Sequence, residues 1–205
     1  MLTTILDMAG VAVFAISGAL AAARAGQTIV TFALFAAVTG IGGGTLRDLL
    51  IGAPVFWVGR SDYLGVCLIA AAAVWLVKVE RWPLKTLLWF DAVGLGAYAV
   101  IGTSKALAYG VPPLPAIVMG VLTACFGGIL RDVLAGVPSV ILRPEIYVFA
   151  AVLGASSFAL ASSVGAPTPV ATALGFIIGF GVRALAIARG ISLPSYRQDD
   201  SDSAP

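Results

Sequence analysis

The chain repeats itself. Shifted by 84 residues, it matches without a gap from residue 7 to residue 54. Asp7 falls on Asp91, Gly10 on Gly94, Gly18 on Gly102 and Gly26 on Gly110. Gly43, Gly44, Leu46, Arg47 and Asp48 fall on Gly127, Gly128, Leu130, Arg131 and Asp132, and Gly52 and Pro54 fall on Gly136 and Pro138. Within that window 15 of 48 positions are identical, against roughly 4 or 5 expected by chance in so biased a composition. The matches concentrate on Gly, Arg, Asp and Pro rather than on interchangeable aliphatics. Any fold for this chain must therefore be built from two copies of one unit.

Composition says what that unit is. Of 205 residues, 60% are hydrophobic and 11% charged, and mean hydropathy is +1.04. A soluble domain carries about 25% charged residues, so this chain cannot clothe a globular surface. It reads as an integral membrane protein. Seven stretches are long and apolar enough to span: 7–24, 28–52, 63–79, 87–107, 113–136, 146–164 and 169–188. Strand-type alternation is absent, which argues against a β-barrel. Each unit thus holds three spans. An odd number turns the second copy upside down, the inverted-topology arrangement of many transporters and channels. The first span is the partner of the fourth, so it belongs to the mature protein rather than to a signal peptide. The expected organisation is one transmembrane domain over 1–191. Repeat one covers about 5–80, repeat two about 89–164, and a seventh helix about 169–188. A polar, disordered tail over 192–205 follows.

Lys and Arg in short loops set the orientation. One side collects Arg24, Lys78, Arg81, Lys85, Arg143, Arg189 and Arg197, and the other collects Arg60 and Lys105. The first side is expected in the cytoplasm, with the N-terminus outside and the C-terminus inside, in the cell (inner or plasma) membrane. The net charge of +2 gives no nucleic-acid signal. The absence of histidine excludes His-based triads and His metal sites. No nucleophile–base or metal constellation stands out, so an enzyme, a metal site and a cofactor are not expected. Cys67 and Cys125 both lie in apolar runs and read as buried free thiols.

The chemistry concentrates in the doubled motif. Gly42, Gly43 and Gly44 precede Thr45-Leu46-Arg47-Asp48 in the second span, and Gly127 and Gly128 precede Ile129-Leu130-Arg131-Asp132 in the fifth. Glycine in a helix interior costs about 1 kcal/mol relative to alanine, so these runs predict a kink or an unwound turn. Broken backbone at membrane depth is tolerated where it lines a cavity, and its freed carbonyls can ligate a cation. On this reading a leucine at Gly43 or Gly127 removes ion flux from a folded protein. Close helix packing, the other use of such glycines, would instead cost the fold first. Arg47, Asp48, Arg131 and Asp132 each lie a few residues from a span end, where a charge needs a partner. Shared membrane side and shared repeat unit predict the pairs Asp7–Arg47 and Asp91–Arg131. Asp48, Asp132, Ser17 and Thr45 are candidates for the lining or gate of a pathway. Lys105 has Ala21 as its repeat partner, so the scaffold alone does not demand it. It either snorkels to the interface or sits in the pathway near Ser17 or Asp48.

These residues resemble a known family. Two GG-x-x-RD motifs in inverted three-span repeats, a lone seventh span and the stretch Gly102-Thr103-Ser104-Lys105-Ala106-Leu107 are similar to the prokaryotic branch of the trimeric intracellular cation (TRIC) channels, over roughly residues 5–188. The resemblance implies an all-α membrane protein with seven transmembrane helices, as a 3+3 inverted repeat plus a seventh, with glycine-kinked second and fifth helices. It implies a homotrimer with one pore inside each protomer, lined by the first, second, fourth and fifth spans and passing K⁺ or Na⁺, chiefly K⁺. Lys105 matches a fourth-span lysine linked to gating or lipid contact in animal members. Membrane lipid is thus a candidate bound partner, although Ala106, Leu107 and Ala108 stand where those members carry a basic lipid-binding cluster. Such sequences are also labelled as a glycine-transporter domain. The alternative function is therefore secondary transport of a small amino acid such as glycine, which would need a coupling-ion site. Asp48 and Asp132 each have an arginine next door, which favours the channel.

Overall fold

The computed structural model describes residues 2–77, 83 and 85–194, with side chains from Asp7 onward. Among these residues are seven α-helices in chain order: α1 (Leu2–Arg24), α2 (Ile29–Leu50), α3 (Asp62–Leu76), α4 (Thr86–Ala108), α5 (Pro113–Leu134), α6 (Val148–Ser163) and α7 (Thr168–Arg189), with a 3-10 turn at Val140–Leu142. No strand is present among the described residues. The helices α1, α2, α4, α5 and α7 are long and apolar enough to cross a bilayer. The apolar helices α3 and α6 run for 15 and 16 residues, somewhat short of a full span.

Local chemistry explains the boundaries. Thr28 caps α2 through its hydroxyl. Prolines open α5 and α7, where a missing N–H costs nothing. Beyond α2 and α5 the chain turns through Gly52 and Gly136, with φ of 67° and 66°, a conformation that glycine adopts without steric cost.

The inverted repeat is visible in how the helices cross. A Cβ built on Gly43 would overlap the Thr123 carbonyl oxygen, and one built on Gly127 would overlap the Thr39 carbonyl oxygen. Thr39 and Thr123 are themselves repeat partners. As the chain advances from Thr39 to Gly43 along α2, the contact retreats from Gly127 to Thr123 along α5. The two helices are thus antiparallel and related by a two-fold axis perpendicular to both. The helices α1 and α4 obey the same rule: Gly10 faces Tyr98, and Gly94 faces Phe14. The rings of Phe14 and Tyr98 lie 5.6 Å apart. Since these helices cross the membrane, the axis lies in its plane. The α7 helix stands outside this symmetry and packs on α4 and α6.

Of the two forms that the glycine runs allow, the unwound turn is absent: α2 and α5 are helical without interruption. The space left by Gly43 and Gly127 is occupied by the neighbouring backbone. Ser192 forms an antiparallel bridge with Glu145, and the Leu193 N–H donates to the Pro144 carbonyl at 2.8 Å. The chain is therefore tied down through Ser192 and Leu193, inside the stretch expected to be loose. Finally, α3 ends at Leu76, with Val77 extended. Lys78, Arg81, Arg197 and the tail from 195 lie outside the described residues.

Lipid tails are as apolar as leucine, so helix association in a bilayer depends on close van der Waals contact. That makes the two central glycines structural. Gly43→Ala or Gly127→Ala drives a methyl into a carbonyl that cannot move, and should cost roughly 1–3 kcal/mol or more by overpacking. At Gly42 the obstacle is the Leu130 Cδ1, the tip of a flexible side chain, so Gly42→Ala should be much milder. Yield and thermal stability of the purified variants check this order. A stable Gly43→Ala protein beside an unstable Gly42→Ala protein would contradict it.

Candidate functional site

Among the described residues the buried charged side chains are Arg47, Asp48, Asp91, Arg131, Asp132 and Arg183. Five of the six belong to the doubled motif or its repeat-related aspartate. They gather into two groups at opposite ends of the α2–α5 pair, with the Thr39/Thr123 crossing between them.

The first group forms at the C-terminal end of α2. Asp48 is fully buried. Its Oδ1 accepts from Arg47 Nε at 2.8 Å and lies 2.7 Å from Nη2. Its Oδ2 accepts the Phe56 backbone N–H at 3.0 Å, which pins the loop after α2 back onto the helix. Lys105 reaches across from α4, with Nζ 2.8 Å from Oδ1 and 2.9 Å from Oδ2. Its ammonium also stands 6.0 Å over the Phe56 ring. Lys105 thus lies beside Asp48 rather than beside Ser17. Thr45 donates to the Ile41 carbonyl at 2.7 Å and accepts from Trp57 Nε1 at 2.9 Å.

The second group repeats this plan at the end of α5. Arg131 Nε donates to Asp132 Oδ1 at 2.9 Å, and Asp132 Oδ2 accepts the Val140 N–H at 2.9 Å. Val140 is the repeat partner of Phe56. Here Arg131 Nη1 also donates to Asp91 Oδ1 at 2.5 Å and to Ser17 Oγ at 2.6 Å. A cavity of about 380 Å³ opens beside this group, with Arg24, Arg131, Asp132, Val140 and Arg143 in its wall.

The expected pairs therefore divide. Asp91 and Arg131 form an ion pair. Asp7 and Arg47 do not: Asp7 Oδ2 accepts from the Tyr63 hydroxyl at 2.7 Å, and Arg47 turns to Asp48. The units differ at Ser17, which gives Arg131 a second acceptor where the other unit has Ile101, and at Tyr98, which holds the Asp7 backbone carbonyl where the other unit has Phe14. Ser17 lies with Arg131 rather than with Lys105. Gly44 leaves room for the Phe56 ring, and Gly128 leaves room for Tyr147, Asp91 and Arg131.

Sequence reasoning missed several participants. Tyr63 and Tyr147 fall on each other under the same 84-residue shift, just past the matched window, and that identity could have flagged them. Arg183 is 2% exposed on α7. It pairs with Glu145 at 2.6 Å and stacks over Tyr147 at 5.1 Å, so it fastens the loop between α5 and α6. A lone arginine within a span demands such a partner, which was the available signal.

Chemically the groups differ in sign. Arg47, Lys105 and Asp48 together carry one net positive charge. Arg131, Asp91 and Asp132 carry one net negative charge. No group of three metal-ligating side chains occurs among the described residues. The different wiring predicts different energetics. In a double-mutant cycle on unfolding, Asp91→Asn and Arg131→Gln should couple by about 1 kcal/mol or more, as desolvated pairs do. Asp7→Asn and Arg47→Gln should be nearly additive. Equal coupling in both cycles would contradict the assignment.

Comparison with known proteins agrees with this geometry. The sequence model of a family described as "Glycine transporter" matches residues 4–78 and 88–163, which are the two repeat units. A UPF0126 membrane protein of Vibrio cholerae is 40% identical over 197 residues, covering 94% of this chain and 82% of that protein. The UPF0126 inner membrane protein YadS of Escherichia coli strain K12 is 36% identical over 208 residues, covering 98% and 99%. Among solved structures, the TRIC trimeric intracellular cation channel orthologue from Rhodobacter sphaeroides superposes with a TM-score of 0.89 at 46% identity, over 93% of this chain and 99% of that one. A TRIC channel from C. elegans shares the fold at a TM-score of 0.62 and 20% identity. Doubled motif, antiparallel repeat and overlap across nearly the whole chain lead to one conclusion: this protein is a member of the prokaryotic TRIC family of membrane proteins, the family whose sequence model bears the glycine-transporter description.

Proposed function

We propose that the chain is a cation channel that passes chiefly K⁺, assembled as a homotrimer with a pathway inside each protomer between α1, α2, α4 and α5. One observation carries the reading beyond the family likeness. A flexible cation, Lys105, is docked on a buried carboxylate, Asp48, at one end of the doubled-motif helices. The solved relative at 46% identity is described as a cation channel orthologue, and the same reading suits this geometry.

The physical argument starts from the carboxylate. Asp48 is shielded from water and cannot stay ionised alone. Arg47 supplies a fixed counter-charge, held at both Nε and Nη2. Lys105 supplies a second one from a side chain that is 26% exposed and free to swing about its stem. While Lys105 is docked, a K⁺ ion approaching Asp48 meets net positive charge and is repelled. When Lys105 leaves, Arg47 keeps Asp48 tolerable, and the remaining oxygen lone pairs become available to a passing ion. Lys105 then acts as a gate and Asp48 as its seat. Among the described residues Asp132 has no lysine, since Ala21 occupies the matching place, so the gate belongs to the Asp48 end.

The transporter reading draws less support. Substrate sites in inverted-repeat transporters are formed where helices break near the midplane. In this chain α2 and α5 pass that level as unbroken helices in backbone contact. The orientation follows the loop charges. The end with Lys105 faces outward, and the cavity walled by Arg24, Arg131 and Arg143 opens to the cytoplasm.

Two outcomes check the proposal. Lys105→Ala should raise the open probability of K⁺ currents in planar bilayers by about fivefold, since a partly exposed pair is worth about 1 kcal/mol. Unchanged currents would remove Lys105 from the gate, and saturable glycine exchange without unitary steps would favour the transporter. For orientation, a cysteine at Arg60 should react with an impermeant reagent in whole cells, while one at Lys85 should react only after the membrane is opened. Labelling of the Lys85 position from outside would invert the topology.

A further inference from the structure

The two repeat units hold one constellation in two different hydrogen-bonding states. Each unit has an aspartate on its first helix, an arginine near the end of its second, and a tyrosine beside the start of its third. These are Asp7, Arg47 and Tyr63 in one unit and Asp91, Arg131 and Tyr147 in the other, all in register under the 84-residue shift. In the second unit the carboxylate sits on the arginine. The Tyr147 hydroxyl then makes no short hydrogen bond among the described residues, although it lies beside the same carboxylate. In the first unit the carboxylate sits on the tyrosine. There it is Arg47 Nη1 that has no partner. Tyr147 and Arg47 are 0% and 3% exposed, so bulk water does not satisfy either orphan. A buried donor without an acceptor is a standing cost. In each unit one carboxylate lies between two donors, and its short contact goes to only one of them.

The surroundings explain which donor wins. Arg131 Nη1 has a second acceptor in Ser17 Oγ at 2.6 Å, which helps hold the guanidinium where Asp91 meets it. The repeat partner of Ser17 is Ile101, which offers no oxygen. Arg47 Nη1 therefore lacks the second acceptor that Ser17 gives Arg131. On the other side, Tyr98 donates to the Asp7 backbone carbonyl at 3.1 Å, and its repeat partner, Phe14, has no hydroxyl. Both differences hold the first unit in the tyrosine state without closing off the arginine state.

We propose that Asp7 is a two-position carboxylate that exchanges between Tyr63 and Arg47, and that the exchange sets the charge a cation meets at the Lys105 end of the protein. The second unit displays the position that Asp7 takes after exchange. With Asp7 on Tyr63, the group Arg47, Lys105 and Asp48 carries one net positive charge. With Asp7 on Arg47 the enlarged group is neutral, and the barrier to a cation falls. Asp7 and Tyr63 are positioning residues: they act through Arg47. The exchange itself stands on the geometry, while its effect on ions rests on the channel reading.

The test uses the full chain in detergent and in bilayers. With Tyr63 present, Asp7→Asn and Arg47→Gln are close to additive in the unfolding equilibrium. In a Tyr63→Phe background Asp7 has only Arg47 to serve, and the same pair becomes coupled by about fivefold or more in the equilibrium constant. Tyr147→Phe removes an orphan and leaves the Asp91–Arg131 coupling as it was. Persistent additivity of Asp7 and Arg47 in Tyr63→Phe overturns the proposal. Should Tyr63→Phe not fold, ring-carbon resonances of labelled tyrosine in the unaltered protein decide: two exchanging environments at Tyr63 support the exchange, and a single fixed one overturns it. In bilayers Tyr63→Phe raises the unitary K⁺ current and Tyr147→Phe does not. Coupling without a change of current overturns the effect on ions and keeps the exchange. A wild-type protein with no unitary K⁺ current removes the channel reading, and the cycle and the resonances still decide on the exchange.

Discussion

A carboxylate held out of water stays ionised only if donors surround it, and the two motif aspartates show how much structure that requirement organises. Asp48 and Asp132 are each bound to the preceding arginine through its Nε and to a backbone N–H eight residues on. The second bond folds the following loop back over the helix end. The loop then delivers a tyrosine, Tyr63 or Tyr147, to the aspartate of the unit's first helix. A single Arg-Asp dipeptide thus fixes a helix terminus, a loop and the entry to the third helix. Mutual attraction in a low-dielectric setting offsets the desolvation of the charges only when most donors and acceptors are matched. The unmatched ones, Arg47 Nη1 and Tyr147 Oη, mark where the arrangement can change.

The glycines serve the same end by a different route. In a bilayer no hydrophobic force drives helix onto helix, so backbones must approach closely. Gly43 against Thr123 and Gly127 against Thr39 bring α2 and α5 together at the pseudo-two-fold axis. That contact sets the separation of the two charged groups and keeps them at opposite ends. Symmetry supplies the scaffold, and three departures from it supply direction. Lys105 stands where the other unit has Ala21, Ser17 where it has Ile101, and Arg183 comes from a helix with no repeat partner. The first adds a cation to Asp48, and the second adds an acceptor to Arg131. The third fastens the loop before α6 through Glu145.

Much of this was legible in the sequence, for identifiable reasons. The repeat and its inversion follow from an odd number of spans, a count that hydropathy supplies. Asp91–Arg131 follows from shared side and shared unit. Asp7–Arg47 follows from the same logic and fails, because hydropathy and spacing say nothing about a competing hydroxyl. Tyr63 lies 56 residues from Asp7, and only the folded chain brings them together. The glycine runs were ambiguous in principle. Low helix propensity predicts weakness, but tertiary packing overrides propensity, and the facing Thr39 and Thr123 backbone keeps both helices whole. Lys105 had two readings from sequence because a lysine near a span end can reach either water or a buried acid. The position of Asp48 on the neighbouring helix chose between them.

On the proposed function each protomer holds its own cation pathway between the two charged groups. Single purified oligomers inserted into a planar bilayer under symmetric K⁺ should then give three equal current steps per oligomer, opening and closing independently, since each Lys105–Asp48 pair would gate its own protomer. A single large step that closes all at once would place the pathway on the oligomer axis instead. Uptake that saturates with a small amino acid and shows no steps would contradict the channel altogether.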